Sequence, residues 1–250
     1  MDLARRTLHA LDLTCLDESA EPQRIEALCR SAGSAAGRVA AVCVHPEYLR
    51  SAREWLDRAG FGEVRVATVA NFPAGRDEVD SALREVRRAV AAGADEVDLV
   101  FPWRALLAGD AQTGEALVAA CRAACAERVR LKVILETGAL QTAEAIRAAC
   151  LAALRGGADF LKTSTGKTAV HATPAAAAVM LDCIAEQGGH CGFKASGGLR
   201  QLDDAAPYFA LAEARLGSGW PTPQRFRLGA SALLDAVHAA LAQESSGGQR

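Results

Sequence analysis

Residues 156–167 read GGADFLKTSTGK and run from the end of one predicted helix through the whole of one predicted strand. Glycine commonly ends a helix, and here two glycines follow an alanine-rich segment. The apolar and β-branched residues that come next are typical of a short buried strand. A similar run, AGADEVD, occurs at residues 92–98 with the same helix end, Ala-Asp step and strand start. This internal similarity predicts repeated strand–helix units.

Eight predicted strands extend this pattern over the whole chain. They lie at residues 10–15, 39–45, 64–72, 96–101, 130–137, 160–165, 192–196 and 227–230. Apolar residues at helical spacing predict helices at about 21–32, 46–59, 77–92, 112–126, 142–155, 174–187, 201–214 and 231–242. Because eight such units with short connections suit a closed ring of strands, we predict a parallel (β/α)8 TIM barrel. The alternative is an open, doubly wound sheet.

The composition suits a single domain with a small-molecule substrate. We predict that the domain spans residues 1–243 of the 250 and that residues 244–250, rich in serine and glycine, form a flexible tail. The net charge is -2 and no basic stripe occurs, so we expect no nucleic-acid partner. No long apolar segment occurs, so we expect neither a signal peptide nor a membrane partner. Eight cysteines without paired CxxC spacing indicate reduced thiols and a cytoplasmic location.

Lysine is rare in this chain, and its positions are unusual. Only four of the 28 basic residues are lysine: Lys132, Lys162, Lys167 and Lys194. Each lies in or beside an apolar run, whereas the other basic residues are all arginine. A buried lysine can lose its proton and act as a nucleophile, but arginine stays charged. The lysines are therefore candidates for covalent chemistry.

Charged residues occupy one face of several predicted strands. In the fourth strand Asp98 alternates with Val97 and Leu99, and similar reasoning assigns an inward face to Asp12, Lys132, Glu136, Lys162 and Lys194. Helices cover the outside of a barrel, so these polar side chains are left to point inward. Buried charges are costly unless paired, and such a set predicts an active site. The alternative is a buried ion-pair network without chemistry.

The two similar runs also predict one specific contact. When residues 92–98 are aligned with residues 156–162, Asp98 coincides with Lys162. These positions belong to the fourth and sixth strands, and alternate strands of a barrel contribute side chains to the same interior layer. The carboxylate and the amine should therefore face each other at one height.

Seven runs of the sequence, taken together, point to one enzyme family. They are LDLT at 11–14, ATVANFP at 67–73, EVDLVFP at 96–102, KVILETG at 132–138, FLKTSTG at 160–166, FKASGG at 193–198 and RLGAS at 227–231. In this order they cover nearly the whole chain, which resembles the deoxyribose-phosphate aldolases. The resemblance implies a lyase of deoxyribonucleotide catabolism that acts through a lysine Schiff base, with no metal or other cofactor. It would reversibly cleave 2-deoxy-D-ribose 5-phosphate to D-glyceraldehyde 3-phosphate and acetaldehyde.

The resemblance also assigns catalytic roles. It matches Lys162 to the imine-forming lysine, Lys194 to a second lysine beside it and Asp98 to a proton-relay carboxylate. The residue types support these roles: an ammonium at Lys194 about 5 Å from Lys162 would disfavour the charged amine by about 3 kcal/mol at an effective dielectric of about 20. That repulsion would lower the pKa of Lys162 toward neutral pH. The resemblance is compatible with a homodimer, for which the sequence identifies no interface.

Further positions are predicted to bind the substrate. Polar residues in the matched runs predicted to contact the sugar are Asp12, Thr14, Lys132 and Thr165. Barrels often bind phosphate in the loops after strands seven and eight, which predicts a site at Gly197, Gly198, Gly229 and Ser231. The resemblance adds Gly166 and Lys167. Arg200 could assist, or could be a solvated arginine at a helix start. The run TGK at 165–167 lacks the earlier glycine of a nucleotide P-loop.

The sequence departs from the family in two places. Many relatives have a second serine where this chain has Ala232, and some have a C-terminal tyrosine that is absent here. A Schiff-base aldolase for another phosphorylated sugar is therefore one alternative function. A sugar-phosphate-binding regulator without catalysis is another.

Three residue types are less decisive. Cys43 could face the pocket or be a core thiol. Glu136 could hold Lys132 or a water molecule, in a plain ion pair or in a catalytic role. The histidines lack the spacing of metal ligands, so no metal site is predicted.

Overall fold

The structure, a computed structural model, describes residues 2–125 and 127–247, with side chains described up to residue 243. Eight parallel strands form a closed barrel: β1 (Leu11–Cys15), β2 (Ala41–Val44), β3 (Arg65–Ala70), β4 (Glu96–Val100), β5 (Arg130–Ile134), β6 (Phe160–Lys162), β7 (Gly192–Ser196) and β8 (Phe226–Gly229). Pairing of Leu11 with Leu228 joins β1 to β8 and closes the ring. The predicted (β/α)8 barrel is confirmed, and the open sheet was the wrong alternative.

Helices surround the barrel. They are α1 (Leu3–Ala10), α2 (Pro22–Arg30), α3 (Leu49–Arg58), α4 (Val79–Ala91), α5 (Trp103–Leu107), α6 (Ala111–Cys125), α7 (Thr137–Leu140), α8 (Ala143–Arg155), α9 (Pro174–Glu186), α10 (Leu202–Leu216) and α11 (Leu233–Gly247). A 3-10 turn, Pro46–Tyr48, precedes α3, and two-residue strands at Gly33–Ser34 and Gly37–Arg38 form a small hairpin. In the part of the chain that the structure describes, no helix has the length and apolar character that crossing a membrane requires.

The alternation along the strands separates a helix-facing core from a polar interior. Val97 and Leu99 of β4 are fully buried in the main hydrophobic cluster, as are Leu131 and Val133 of β5. Asp98, between the first two, instead contacts charged groups of the interior. Apolar contacts to the helices thus leave the charged side chains to fill the barrel.

The repeated helix end is also present in three dimensions. Gly93 after α4 and Gly157 after α8 have φ angles of 93° and 89°, where a side chain would be strained. In both units the next strand starts three residues later, at Glu96 and Phe160. The shared sequence pattern therefore corresponds to a shared backbone path into the barrel.

Several predicted strands were too long at their carboxyl ends. β3 ends at Ala70, β5 at Ile134 and β6 at Lys162. Asn71 and Glu136 follow the first two strands with φ angles of 53° and 57°, so the chain leaves the sheet there. These turns start the loops above the barrel, although the polar–apolar alternation of the sequence continues into them.

The two chain ends were also only partly predicted. Helix α1 was not predicted, and its last residue, Ala10, was assigned to the first strand; the helix begins where the Asp2 side chain accepts a hydrogen bond from the Arg5 backbone amide at 2.9 Å. Helix α11 continues to Gly247, and residues 248–250 of the predicted tail lie outside the described residues.

Candidate active site

A network of buried charged side chains fills the barrel interior. Its members are Asp12, Glu96, Asp98, Lys132, Lys162, Lys194 and Arg227. Strand register brings them together, since Asp98 lies beside Lys132 and Lys162 beside Lys194 on neighbouring strands. Charges in such a setting are stable only when each has partners, which the network provides.

Asp98 is the centre of this network. Its Oδ1 accepts a hydrogen bond from Lys132 Nζ at 2.8 Å. Its Oδ2 accepts from Lys162 Nζ at 2.8 Å and from Lys194 Nζ at 2.9 Å. Burial alone would raise the pKa of Asp98, but the three lysines lower it well below its ordinary value. Asp98 is therefore a carboxylate, and its predicted contact with Lys162 is confirmed.

Lys162 differs from the two other buried lysines. Burial lowers its pKa, Lys194 lowers it further, and Asp98 opposes the change. For Lys132 and Lys194, burial is outweighed by surrounding carboxylates, so the pKa of each is raised. The prediction named the charge of Lys194 as the cause for Lys162, whereas burial is the larger one. Lys162 is thus the amine most easily deprotonated, beside an ammonium at Lys194.

Both amines contact the same oxygen of Asp98. The Nζ atoms of Lys162 and Lys194 therefore lie no farther apart than the sum of the two hydrogen-bond lengths to Oδ2. This geometry agrees with the close approach that the sequence predicts. It permits direct electrostatic repulsion between the two groups in a site of low effective dielectric.

A cavity of about 370 Å³ opens at the carboxyl ends of the strands, directly above this network. Lys162 is the network member that lines it, whereas Asp12, Asp98, Lys132 and Lys194 lie beneath. Active sites of (β/α)8 barrels occur at this end. A reactant in the cavity would meet Lys162 first.

The glycine-rich loops form one side of the cavity. Of the predicted phosphate-binding residues, those that line it are Gly166, Lys167, Gly197, Gly229 and Ser231, but Gly198 does not. A Cβ at Gly229 would lie 2.8 Å from Ser196 Cβ and 3.0 Å from Lys194 Cε, so glycine is required there. The close packing allows the backbone, rather than a side chain, to face the cavity.

Two side chains of this wall are already engaged with the backbone. The Ser231 hydroxyl accepts from Thr14 N at 2.9 Å and donates to Thr14 O at 2.7 Å, which joins β1 to the loop after β8. Lys167 Nζ donates to Leu16 O at 2.7 Å. Thr14 itself lines the cavity, and its role in substrate binding stays a prediction.

Glu136 stabilises the loop after β6. Its carboxylate accepts hydrogen bonds from the hydroxyls of Thr165 at 2.5 Å and Thr168 at 3.2 Å. Of the two alternatives for Glu136, the contact with Lys132 is wrong, because Glu136 lies beyond the end of β5 with a left-handed backbone and Lys132 pairs with Asp12, Glu96 and Asp98. Glu136 thereby positions Thr165, which lines the cavity; its contact with the sugar stays a prediction.

Two network residues, Glu96 and Arg227, and several cavity residues, among them Arg24, were not predicted as site residues. Arg227 Nη1 donates to Asp12 Oδ1 at 2.6 Å, and Nη2 donates to Glu96 Oε1 at 2.8 Å. Glu96 also contacts Lys132 Nζ at 2.5 Å. Both residues alternate with apolar neighbours in their strands, which was a usable signal. Arg24 of α2 lines the cavity beside its ion-pair partner Asp17, and no sequence pattern marks it.

The remaining candidates lie elsewhere. Arg200 does not line the cavity, and its backbone amide donates to Asp204 at the start of α10. Cys43 packs with Leu16, Ala67 and Val69, and burial raises its pKa to about 11, so it is a core thiol. All eight cysteines are free. Over residues 2–125 and 127–247, no group of three or more His, Cys, Asp or Glu side chains is arranged to hold a metal ion.

Several solved structures are similar to this one. A protein from Toxoplasma gondii ME49, provisionally named a deoxyribose-phosphate aldolase, is 27% identical with a TM-score of 0.88, and the match covers 96% of each chain. A protein from Coccidioides immitis with the same provisional name is 32% identical with a TM-score of 0.81, over 95% of this chain and 87% of that chain. Deoxyribose phosphate aldolase from Aeropyrum pernix, described as tetrameric, shares the fold at 23% identity, a TM-score of 0.74 and coverage of 96% and 93%.

A sequence profile of the DeoC/LacD aldolases matches residues 6–239. The matched segment contains all eight barrel strands and every member of the buried network. Aldolases are lyases, and Lys162, the amine of lowered pKa that lines the cavity, lies within the matched segment. The chain belongs to the DeoC/LacD family of aldolases.

Proposed function

We propose that this protein is a Schiff-base aldolase that reversibly cleaves 2-deoxy-D-ribose 5-phosphate to D-glyceraldehyde 3-phosphate and acetaldehyde. One observation carries the proposal: Lys162, whose pKa is lowered, is the network residue that lines the cavity. An amine is a nucleophile only when it is neutral. Burial and the neighbouring Lys194 both favour that neutral form.

The first step forms the covalent intermediate. In the proposed mechanism, Lys162 Nζ attacks the aldehyde carbon of the open-chain sugar and gives a carbinolamine. Loss of water, with proton transfer to the departing hydroxyl, leaves a protonated imine. Lys194 holds its proton firmly, since Asp12 and Asp98 outweigh burial and raise its pKa. Its ammonium is therefore suited to stabilise the departing hydroxyl through a hydrogen bond, while a water molecule relays the proton that leaves with the hydroxyl.

The second step breaks the bond between C2 and C3. A base removes the proton of the C3 hydroxyl, C3 becomes the aldehyde of glyceraldehyde 3-phosphate, and the bonding electrons move to the imine to give an enamine. Protonation of the enamine carbon and hydrolysis then release acetaldehyde and restore Lys162. We assign these proton transfers to Asp98 and Lys194, acting through a water molecule. Asp98 accepts a hydrogen bond from Lys162, and Lys194 donates to the same oxygen of Asp98.

The cavity wall supports binding of the phosphate group. The loops containing Gly197 and Gly229 line the cavity, and we assign phosphate binding to backbone N–H groups of these loops, since helix starts and glycine-rich loops commonly bind anions in this way. Lys167 lines the same cavity and adds a positive charge. Since the Ser231 hydroxyl is occupied by Thr14, we assign Ser231 a binding role through its backbone amide.

Trapping with borohydride tests the mechanism directly. Incubation with acetaldehyde and sodium borohydride should reduce the imine to a stable ethyl adduct on Lys162, which peptide mass spectrometry would locate. An adduct on another lysine, or none, would contradict the proposed nucleophile. A coupled assay for glyceraldehyde 3-phosphate released from 2-deoxy-D-ribose 5-phosphate tests the substrate separately.

A Schiff-base aldolase for a different phosphorylated sugar is the second candidate. The family name covers more than one kind of aldolase, and Ala232 replaces a serine that many of the aldolases it resembles have in the phosphate region. This candidate predicts the same adduct on Lys162 but poor turnover of deoxyribose 5-phosphate. A panel of phosphorylated aldehyde acceptors would separate the two.

The cellular setting is proposed on the same basis. The eight free thiols favour a reducing cytoplasm. The proposed substrate places the enzyme in deoxyribonucleotide catabolism. A homodimer stays a prediction, and the Aeropyrum pernix protein is described as a tetramer.

A further inference from the structure

A second polar cavity lies at the opposite end of the barrel, where the strands begin. This amino-terminal cavity measures about 530 Å³. It is lined by the first residues of β3, β4 and β5, namely Arg65, Glu96 and Arg130, and by Arg227 of β8. None of these residues lines the cavity above Lys162. The two cavities are therefore separate sites joined only through the barrel interior.

Positive charge predominates in the amino-terminal cavity. Its charged lining consists of four arginines and two glutamates: Arg38, Arg65, Arg130, Arg227, Glu63 and Glu96. Both glutamates already have cationic partners, because Glu63 pairs with Arg38 and Glu96 pairs with Arg227. The other two arginines, Arg65 and Arg130, therefore have no carboxylate partner among the residues that line the cavity.

Arg65 and Arg130 are the two arginines with capacity for another anion. Arg65 Nη1 is 3.6 Å from Asp95 Oδ1, a long contact. Arg130 has no carboxylate within ion-pair distance among the residues that the structure describes. They begin β3 and β5, which pair with opposite edges of β4, so they emerge on either side of the buried Glu96.

The guanidinium of Arg130 is also oriented. Its Nη1 donates to Gln224 O at 2.8 Å, and its Cζ lies 5.8 Å from the centre of the Phe160 ring. Those contacts use one donor and leave others free, since a guanidinium carries five N–H groups. An arginine held in this way loses less conformational freedom when it binds an anion.

We propose that the amino-terminal cavity is a binding site for a phosphate group, either free phosphate or the phosphate of a small metabolite. Arginine donors in a fixed planar arrangement match phosphate oxygens and form charge-assisted hydrogen bonds with them. The cavity volume exceeds what a single phosphate needs, so there is room for a small attached group. The site is distinct from the phosphate subsite proposed beside Lys162 and does not depend on it.

The site also touches the catalytic network. Arg227 lines the amino-terminal cavity and donates to Asp12, whose other oxygen accepts from Lys194. A ligand in the amino-terminal cavity that contacts Arg227 would therefore be connected through the Arg227–Asp12 ion pair to Lys194, which lies beside Lys162. Because of this position, phosphate or a sugar phosphate bound in the cavity could influence the charged groups around Lys162.

Isothermal titration calorimetry of three proteins tests the site. The probes are inorganic phosphate and ribose 5-phosphate at constant ionic strength, and the proteins are the parent, R65Q/R130Q and a control, R87Q/R88Q. The control removes the same charge from two exposed arginines of α4. We expect the binding event of the amino-terminal cavity to weaken at least about tenfold in R65Q/R130Q and to stay unchanged in the control, whereas binding at the phosphate subsite beside Lys162 stays the same in all three proteins.

Location and specificity need their own readouts. Crystals soaked in tungstate should show anomalous density between Arg65 and Arg130. If ribose 5-phosphate binds more tightly than phosphate and loses that affinity in R65Q/R130Q, the ligand is a sugar phosphate; equal binding assigns the free anion. Tungstate confined to the cavity above Lys162, or binding unchanged in R65Q/R130Q, would overturn the proposal. Circular dichroism establishes that both double variants fold.

Discussion

The two ends of the barrel share one buried network but contain different cations. At the carboxyl end Lys162 meets the cavity, and burial together with Lys194 lowers its pKa. At the amino end Arg227 lines the second cavity, and although burial opposes it, Glu96 and Asp12 raise its pKa further. A lysine can become a neutral nucleophile, whereas an arginine remains a cation. The choice of cation therefore separates an end for covalent chemistry from an end for binding and stability.

The partners of each cation strengthen this contrast. Among the residues that the structure describes, Lys162 has a single carboxylate partner, Asp98, and it shares the Oδ2 atom of that carboxylate with Lys194. Arg227 makes ion pairs with both Asp12 and Glu96. A cation with two carboxylates keeps its charge, and one that shares a carboxylate with another cation is more easily deprotonated.

Removal of the nucleophile should give the largest effect. We expect K162M to lower kcat for deoxyribose 5-phosphate cleavage by about 10⁴-fold or more, because no imine can form. The coupled assay for glyceraldehyde 3-phosphate measures this loss, with circular dichroism as the check on folding. Activity of K162M within about tenfold of the parent would mean that another residue is the nucleophile. The carboxyl end of the barrel would then no longer differ from the amino end by a reactive lysine.

Neutralising Asp98 should affect proton transfer more than imine formation. D98N should lower kcat by about 10²- to 10⁴-fold, the range typical of general acid–base groups. Asp98 opposes the lowering of the Lys162 pKa, so its loss should lower that pKa further. The neutral amine would then persist to lower pH.

Borohydride trapping as a function of pH separates these effects. The pH at which half of the acetaldehyde adduct forms should be lower for D98N than for the parent. A midpoint shifted upward would contradict the assigned electrostatic role, because it would mean that the carboxylate favours the neutral amine.

A substitution at the amino end should mainly reduce stability. R227M leaves the buried Asp12 and Glu96 without their guanidinium, and breaking a buried ion pair from one side typically costs about 3–5 kcal/mol. R87M, at an exposed arginine, should change stability by no more than about 0.5 kcal/mol. Urea unfolding measures both.

R227K sharpens the comparison further. It keeps the positive charge but loses the planar set of donors, so it should recover part of the lost stability. If R227M were as stable as R87M, Arg227 would not contribute to the stability of the protein. The two ends of the barrel would then differ only in the reactivity of Lys162.

How far the sequence predicts this site depends on which property is asked for. Alternation along a strand identifies the face of a side chain, and it correctly assigned Asp98, Lys132 and Lys194 to the interior. It does not identify how far along the barrel axis the side chain lies from the cavity. Lys132 is the third residue of five in β5, whereas Lys162 is the last residue of β6. The stagger between strands, which pairs Lys162 with Ile134 rather than with Lys132, raises Lys162 to the cavity.

Residues at strand ends explain most of the wrong predictions. Glu136 continues the alternation of β5 in sequence, but its left-handed backbone turns the side chain toward Thr165. That turn is formed by contacts with a loop about thirty positions later in the chain, which no local pattern contains. Arg227 is a different case: it lies inside β8 between Phe226 and Leu228, so alternation marks its face, but its carboxylate partners lie on β1 and β4, far away in sequence.

The smallest effect is expected at the wall of the carboxyl-end cavity. S231A removes the two hydrogen bonds that tie the loop after β8 to Thr14, and each such bond contributes about 0.5–1.5 kcal/mol. Because the hydroxyl holds the loop rather than the reacting atoms, KM should rise by about tenfold or less while kcat changes little. The matched variant A232S adds a hydroxyl next to Ser231. Since a serine hydroxyl can donate a hydrogen bond to the phosphate of the substrate, A232S should lower KM. Steady-state kinetics with deoxyribose 5-phosphate would measure both variants. A fall in kcat for S231A without a change in KM would mean that this wall takes part in the chemistry, and the division between a binding wall and a reactive lysine within the carboxyl-end cavity would then be lost.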